Sequence, residues 1–174
     1  RVKCVNVLHN RGYGFGILSG LHAAKGSYIG YVDGDDTQCS SAVPLIYEHA
    51  LRNNCDICKG IRQTREDNVQ RRIASNIYNL VFNILFLNKL KDINGKPKII
   101  KKEIFAELNL HSNEWFIDSE ILIKALHKGY KICGVPLNPE KRMNGRSAVR
   151  TMTAFEFVKN MIVYRWKLWT NQKL

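Results

Sequence analysis

The sequence predicts a mixed α/β domain on a mainly parallel sheet, and three observations predict it. An apolar run, Val2 to Leu8, leads into a glycine-rich turn, a helical stretch and a second apolar run, Ser27 to Val32. Strand, helix and strand in that order form a βαβ unit, whose strands run parallel. Short apolar runs then alternate with amphipathic stretches to the end of the chain. With 174 residues and 45% apolar side chains, the chain suffices for one core and is short for two. Residues 1–174 therefore read as a single domain, whose last part, 151–174, is a basic, aromatic amphipathic helix.

Each element has its own signal. Val2, Val5, Val7 and Leu8 read as a buried strand, and Gly12, Gly14 and Gly16 as a turn. Ile17 to Ala24 reads as a helix closed by Lys25-Gly26, and Ser27 to Val32 as a strand ending on Asp33. A helix over 42–52 and a short strand over 56–60 follow. From Arg71 to Leu87, Ile73, Ile77, Leu80, Val81, Ile84 and Leu85 recur at helical spacing and read as a core face. Phe82, Phe86 and Leu87 widen that stripe enough to leave an interfacial role open. Gly95 and Pro97 mark a turn, Lys98 to Ile100 an extended piece, and Ile117 to His127 a helix closed by Lys128-Gly129. Tyr130 to Val135 reads as a strand stopping at Pro136, 138–150 as a basic loop and Ala154 to Trp169 as the last helix.

The net charge of +12 is concentrated in two segments. Residues 59–102 carry eleven basic and three acidic groups, and residues 141–174 eight and one. Such segments suit phosphate, on a nucleic acid, a membrane surface or a phosphorylated substrate, and the competing reading is a solvated basic face with no partner. No apolar run approaches the roughly 18 to 20 residues that cross a bilayer, and no signal peptide opens the chain. Five scattered cysteines point to reduced thiols and a cytosolic setting, with Cys55 and Cys58 read as ordinary half-buried thiols.

Asp33-Gly34-Asp35-Asp36, at the end of a buried strand, is the strongest chemical signal. Three carboxylates in four residues repel one another unless a cation neutralises them, so Asp33 and Asp35 are candidate ligands of Mg2+ or Mn2+. Gly34 leaves room for a ligand against the backbone, and strand ends are where open α/β sheets bind ligands. The competing reading is a solvated turn capping the next helix. The glycines at 12, 14, 16 and 20 fit neither a dinucleotide fingerprint nor a P-loop, and read as a turn with close helix packing.

Asn10 to Gly16, Gly20 to Ile29 and Val32 to Asp36 resemble the middle of a GT-A fold, family 2 glycosyltransferase, with its glycine-rich turn and DxD motif. The downstream half is similar to the polyprenyl-phosphate sugar transferase branch. Arg71 to Ser75, Asp92 to Lys96, Trp115 to Glu120 and Arg142 to Ser147 follow that branch's R-x-x-S, D-x-x-G-x-K, F-D-x-E and R-x-x-G-x-S motifs in order. The family's first strands, which help bind the base, would precede Arg1, so the chain reads as the C-terminal part of a domain truncated at its N-terminus. Ala148 stands where the family has a lysine.

The resemblance implies that Asp33, Gly34 and Asp35 take the metal and the diphosphate of a UDP- or GDP-sugar. It implies Asp118 and Arg142 as catalytic residues, and Arg71, Arg72, Arg142 and Ser147 as contacts of a polyprenyl phosphate acceptor. A phosphate acceptor is anionic near neutral pH and needs no strong base, so Asp118 would position rather than deprotonate. A peripheral place on the cytoplasmic face of a membrane follows, with no nucleic acid partner. The alternatives are a family 2 enzyme acting on a sugar hydroxyl and a non-catalytic basic module binding polyanions. Asp118 also suits a helix dipole, Glu120 the support of nearby basic groups, and Asp92 with Lys96 an ordinary turn pair.

Overall fold

A computed structural model of the chain describes residues 2–34, 39–63, 69–137 and 151–170, with the side chains of 39, 40, 70, 71 and 151–156 outside that description. Helix α1 spans Tyr13–Ala23, starting ahead of the expected Ile17. Gly12, at φ 105°, turns the chain into it, and a Cβ at Gly12 or Gly14 would strike residues 112–114. These two glycines therefore serve close packing, as their spacing led us to expect. Strand β1 is Tyr28–Tyr31, α2 Cys39–Arg52, β2 Ile57–Arg62, α3 Val69–Leu85 and β3 Lys98–Lys101. They are followed by α4 Lys102–Leu108, α5 Ile117–His127, β4 Ile132–Leu137 and α6 Thr151–Trp169.

One four-stranded sheet has the order β1-β3-β2-β4. Strand β3 runs antiparallel to both neighbours, with Ile100 opposite Ile29 on one side and Ile57 on the other. Strands β2 and β4 ascend together, since Ile57 N donates to Lys131 O and Gln63 N to Leu137 O, each at 3.1 Å. The fold is α/β with a mixed sheet flanked by helices, as expected. Strands β1 and β2 share a direction, as strand-helix-strand order requires, and β3 lies reversed between them.

Two strand expectations are corrected. Val2 to Leu8 forms no strand, and Val2 and Leu8 are exposed. An apolar run without a neighbouring strand has nothing to take its backbone hydrogen bonds, and no ladder reaches this run among the described residues. Strand β4 passes through Pro136 to Leu137, because it lies at the sheet edge, where a missing N–H costs little. The cysteine reading is also corrected. Cys55 and Cys133 form a disulfide across a sequence separation of 78 residues, while Cys4 and Cys58 are free thiols.

The chain gathers into two compact units, Arg1–Gly60 with Asn94–Val135, and Ile61–Ile93 with Pro136–Leu174. The first is built on Leu21, Ile29, Ile46, Ile57, Ile100, Leu108 and the helix α5, which is buried without a break from Ile117 to Ala125. A helix buried all round must satisfy its own charges, and Glu120 does so. It pairs with Lys124 at 2.9 Å and accepts from the backbone N–H groups of His111 and Ser112. The second unit buries Phe82, Ile93 and Met161 and packs Tyr78 against Phe157. There the expected core face of α3 is not the buried one. Ile73, Ile77, Leu80 and Ile84 are each more than half exposed, whereas Phe82 is fully buried. A helix apolar on two faces can bury only the one its neighbour covers.

Candidate active site

Asp33 stands two residues past the end of β1, and helix α5 begins with Asp118 in its first turn. The two carboxylates are joined by lysines from the segment entering β3. Lys96 Nζ donates to Asp33 at 2.8 and 3.0 Å and lies 3.6 Å from Asp118 Oδ2. Lys98 Nζ, fully buried, donates to Asp118 Oδ1 at 2.5 Å. Lys98 is the first residue of β3, and Lys96 lies two residues ahead of it in the bend that leads into the strand.

Two tyrosines complete the cluster. The Tyr31 hydroxyl, from the last residue of β1, donates to Asp118 Oδ1 at 2.6 Å. The Tyr13 hydroxyl, from the first residue of α1, donates to Asp33 Oδ1 at 2.8 Å and accepts from Lys96. The Tyr13 ring stacks on Trp115 with centroids 4.2 Å apart, and Lys96 Nζ lies 4.7 Å from its centre. Aromatic stacking and cation–π contact thus hold the lysine and the hydroxyl in place together.

The electrostatics decide what Asp118 can do. Burial opposes its ionisation, but the ammonium charges of Lys98 and Lys96, with hydrogen bonds from Lys98 and Tyr31, outweigh burial. Its carboxyl is held below the usual carboxylate range. Burial, then the neighbouring Asp118 charge, pushes the Tyr31 phenol well above its ordinary value. Near neutral pH Asp118 is an ionised acceptor of hydrogen bonds and a poor taker of protons.

The structure brings together Asp33 and Asp118 and leaves other candidates apart or outside the described residues. Gly34 adjoins Asp33, and no described residue lies within 4 Å of where its Cβ would be. Asp35, Arg142 and Ser147 lie outside the described residues, as does the side chain of Arg71. Arg72 is exposed on α3. Asp92 and Lys96 do not pair as a turn. Asp92 binds Arg62 through both oxygens, at 2.7 and 2.8 Å, while Lys96 faces Asp33. Tyr13, Tyr31 and Lys98 were missed by the sequence reading. No local signal marks Lys98, because a lysine heading the apolar pair Ile99-Ile100 reads as the solvated end of an extended piece.

The described residues fit a divalent cation at Asp33. Its side chain is 32% exposed, Oδ2 takes one donor among the described residues and keeps acceptor capacity, and no described residue crowds Gly34.

A sequence profile described as "Glycosyl transferase family 2" matches residues 1–108, more than half of the chain. The chain is 25% identical to a dolichyl-phosphate beta-glucosyltransferase, ALG5D, of Trichomonas vaginalis, over 95% of this chain and 55% of that protein. It is 23% identical to glycosyltransferase AglD of Haloferax volcanii, over 75% of this chain and 22% of that protein. The chain thus spans about half the length of the first relative and under a quarter of the second.

Proposed function

The chain belongs to glycosyl transferase family 2, and from that membership we propose that it transfers a hexose from a UDP- or GDP-sugar to a polyprenyl phosphate, dolichyl or undecaprenyl. The relative named for dolichyl phosphate supports this acceptor class. The observation that carries it is the state of Asp118, buried, ionised and clamped by Lys98, Lys96 and Tyr31. A hydroxyl acceptor needs a base to take its proton, and a carboxylate so stabilised is a weak one. A phosphate monoester acceptor arrives already anionic.

In this reading the acceptor phosphate oxygen attacks the anomeric carbon from the face opposite the diphosphate. The new C–O bond forms as the bond to the nucleoside diphosphate breaks, with inversion. Asp118 accepts hydrogen bonds from sugar hydroxyls and fixes the ring. Mg2+ or Mn2+ held by Asp33 and Asp35 would supply charge to neutralise the leaving diphosphate. Arg142, Arg71, Arg72 and Ser147 are assigned to the phosphates, because a guanidinium offers a paired donor fork to phosphate oxygens.

We also propose peripheral contact with the cytoplasmic face of a membrane. Among the described residues no helix is long and apolar enough to cross one. Support comes from the exposed apolar ridge of α3, from Trp166 and Trp169 exposed on α6, and from the basic charge of both segments.

The test is transfer of radiolabel from UDP-glucose or GDP-mannose, with Mn2+, to undecaprenyl or dolichyl phosphate, to the matching polyprenol and to free sugar acceptors. Label should move to the lipid phosphate and not to the polyprenol, and Asp33→Ala should abolish it. Transfer to a sugar hydroxyl with none to lipid phosphate would overturn this acceptor in favour of a base-assisted reaction.

A further inference from the structure

We propose that Lys96 is a resident cation at Asp33 that disfavours a divalent ion binding alone, so that the metal enters together with the diphosphate of the sugar nucleotide. This rests on the metal and donor reading above.

Lys96 occupies the position where a metal's charge is wanted. Its Nζ lies 2.8 and 3.0 Å from the two oxygens of Asp33 and 3.6 Å from Asp118, and it donates to the Tyr13 hydroxyl. A dication that takes Asp33 must displace the Lys96 ammonium from both carboxylate oxygens and leave it close by, where like charges repel. The diphosphate of a sugar nucleotide carries two negative charges and offers oxygens to both the metal and the displaced ammonium.

The two lysines differ in freedom. Lys98 is fully buried and donates to both the side chain and the backbone carbonyl of Asp118. Lys96 is 11% exposed and reaches Asp33, itself a third exposed, at the open side of the cluster. When a metal takes Asp33, Lys96 is the partner able to turn its three donors to the diphosphate oxygens, and Lys98 stays with Asp118. Tyr13, fixed by Trp115, keeps the lysine stem along the same path.

The experiment measures Mn2+ binding by electron paramagnetic resonance on wild type, Lys96→Gln and Lys96→Arg, each alone and with UDP or GDP. Wild type and Lys96→Arg should bind Mn2+ weakly alone and much more tightly with nucleotide. Lys96→Gln should bind Mn2+ alone at least about tenfold more tightly than wild type, and gain less from nucleotide. The inference is overturned if Lys96→Gln binds Mn2+ alone no better than wild type while nucleotide still tightens binding to wild type. It is overturned independently of any variant if wild type binds Mn2+ as tightly without nucleotide as with it. Absence of Mn2+ binding in every sample would instead refute the metal reading, and this inference with it.

Discussion

Replacing Asp118 by Asn keeps the shape of the side chain but takes from the buried Lys98 ammonium the carboxylate 2.5 Å away. Breaking a buried pair from one side costs about 3–5 kcal/mol, because the remaining charge stays desolvated. Urea unfolding of Asp118→Asn should show a loss of that order. The pH dependence follows from the same pair. The folded carboxyl of Asp118 lies below its unfolded value of about 3.9, so on acidification the unfolded chain takes up the proton first. The pair's stability is complete above about pH 4 and is lost as pH falls through the folded value. In Asp118→Asn that acid limb should flatten, leaving the shares of Glu120, held low against burial by Lys124 and Ser112, and of Asp56, held low against burial by Lys101 and Lys131. Equal acid limbs in the two proteins would refute the assignment. Asp33 was legible in the sequence because crowded carboxylates demand a cation. Asp118 was legible only through a motif. Lys98 and Tyr31 were not, since a lysine heading a short extended piece reads as a solvated end until β3 is seen buried between two strands.

The elements were legible where a local signal bounds them. Helix α5 has the predicted bounds because Lys128 and Gly129 close it, although it is buried on every side. Helix α3 had a legible period and an illegible face. Ile73, Ile77, Leu80 and Ile84 fall within about 60° of one another at 100° per residue, and Phe82 lies roughly opposite. Periodicity locates both stripes but cannot say which one α6 covers. The uncovered ridge yields a prediction for the membrane reading. Ile77→Glu places a charge in the middle of the ridge, on a side chain already exposed, so the fold should be unchanged. Flotation with anionic vesicles should show binding weakened about tenfold or more, roughly 1.4 kcal/mol per tenfold. Unaltered binding would remove α3 from the contact, leaving Trp166 and Trp169 of α6 to be tested in the same way.

At the scale of the whole chain, what sequence could not supply was long-range neighbourhood. The reversed β3 between β1 and β2, and the bond of Cys55 to Cys133, both join segments far apart in the chain. No local pattern encodes such neighbours. The disulfide also removes the cysteine argument for a reducing compartment, so the membrane reading stands on surface chemistry. Charge distribution, by contrast, is a property of the sequence alone. The basic excess of 59–102 and 141–174 makes attraction to an anionic surface both strong and sensitive to salt. Apolar insertion responds differently, because it does not depend on counter-ions and strengthens slightly with excluded salts. Vesicle binding measured from about 0.05 to 0.5 M NaCl, over which the screening length falls from roughly 14 to 4 Å, separates the two. Affinity for phosphatidylserine-containing vesicles should fall steeply across that range to a residual level set by the apolar ridge. Neutral phosphatidylcholine vesicles should bind near that residual level throughout, and Ile77→Glu should lower the residual and, through its added negative charge, make the slope slightly shallower. A slope shared by neutral vesicles would mean that the charge acts on something other than lipid phosphate, and a residual untouched by Ile77→Glu would mean that the α3 ridge is not what enters the bilayer.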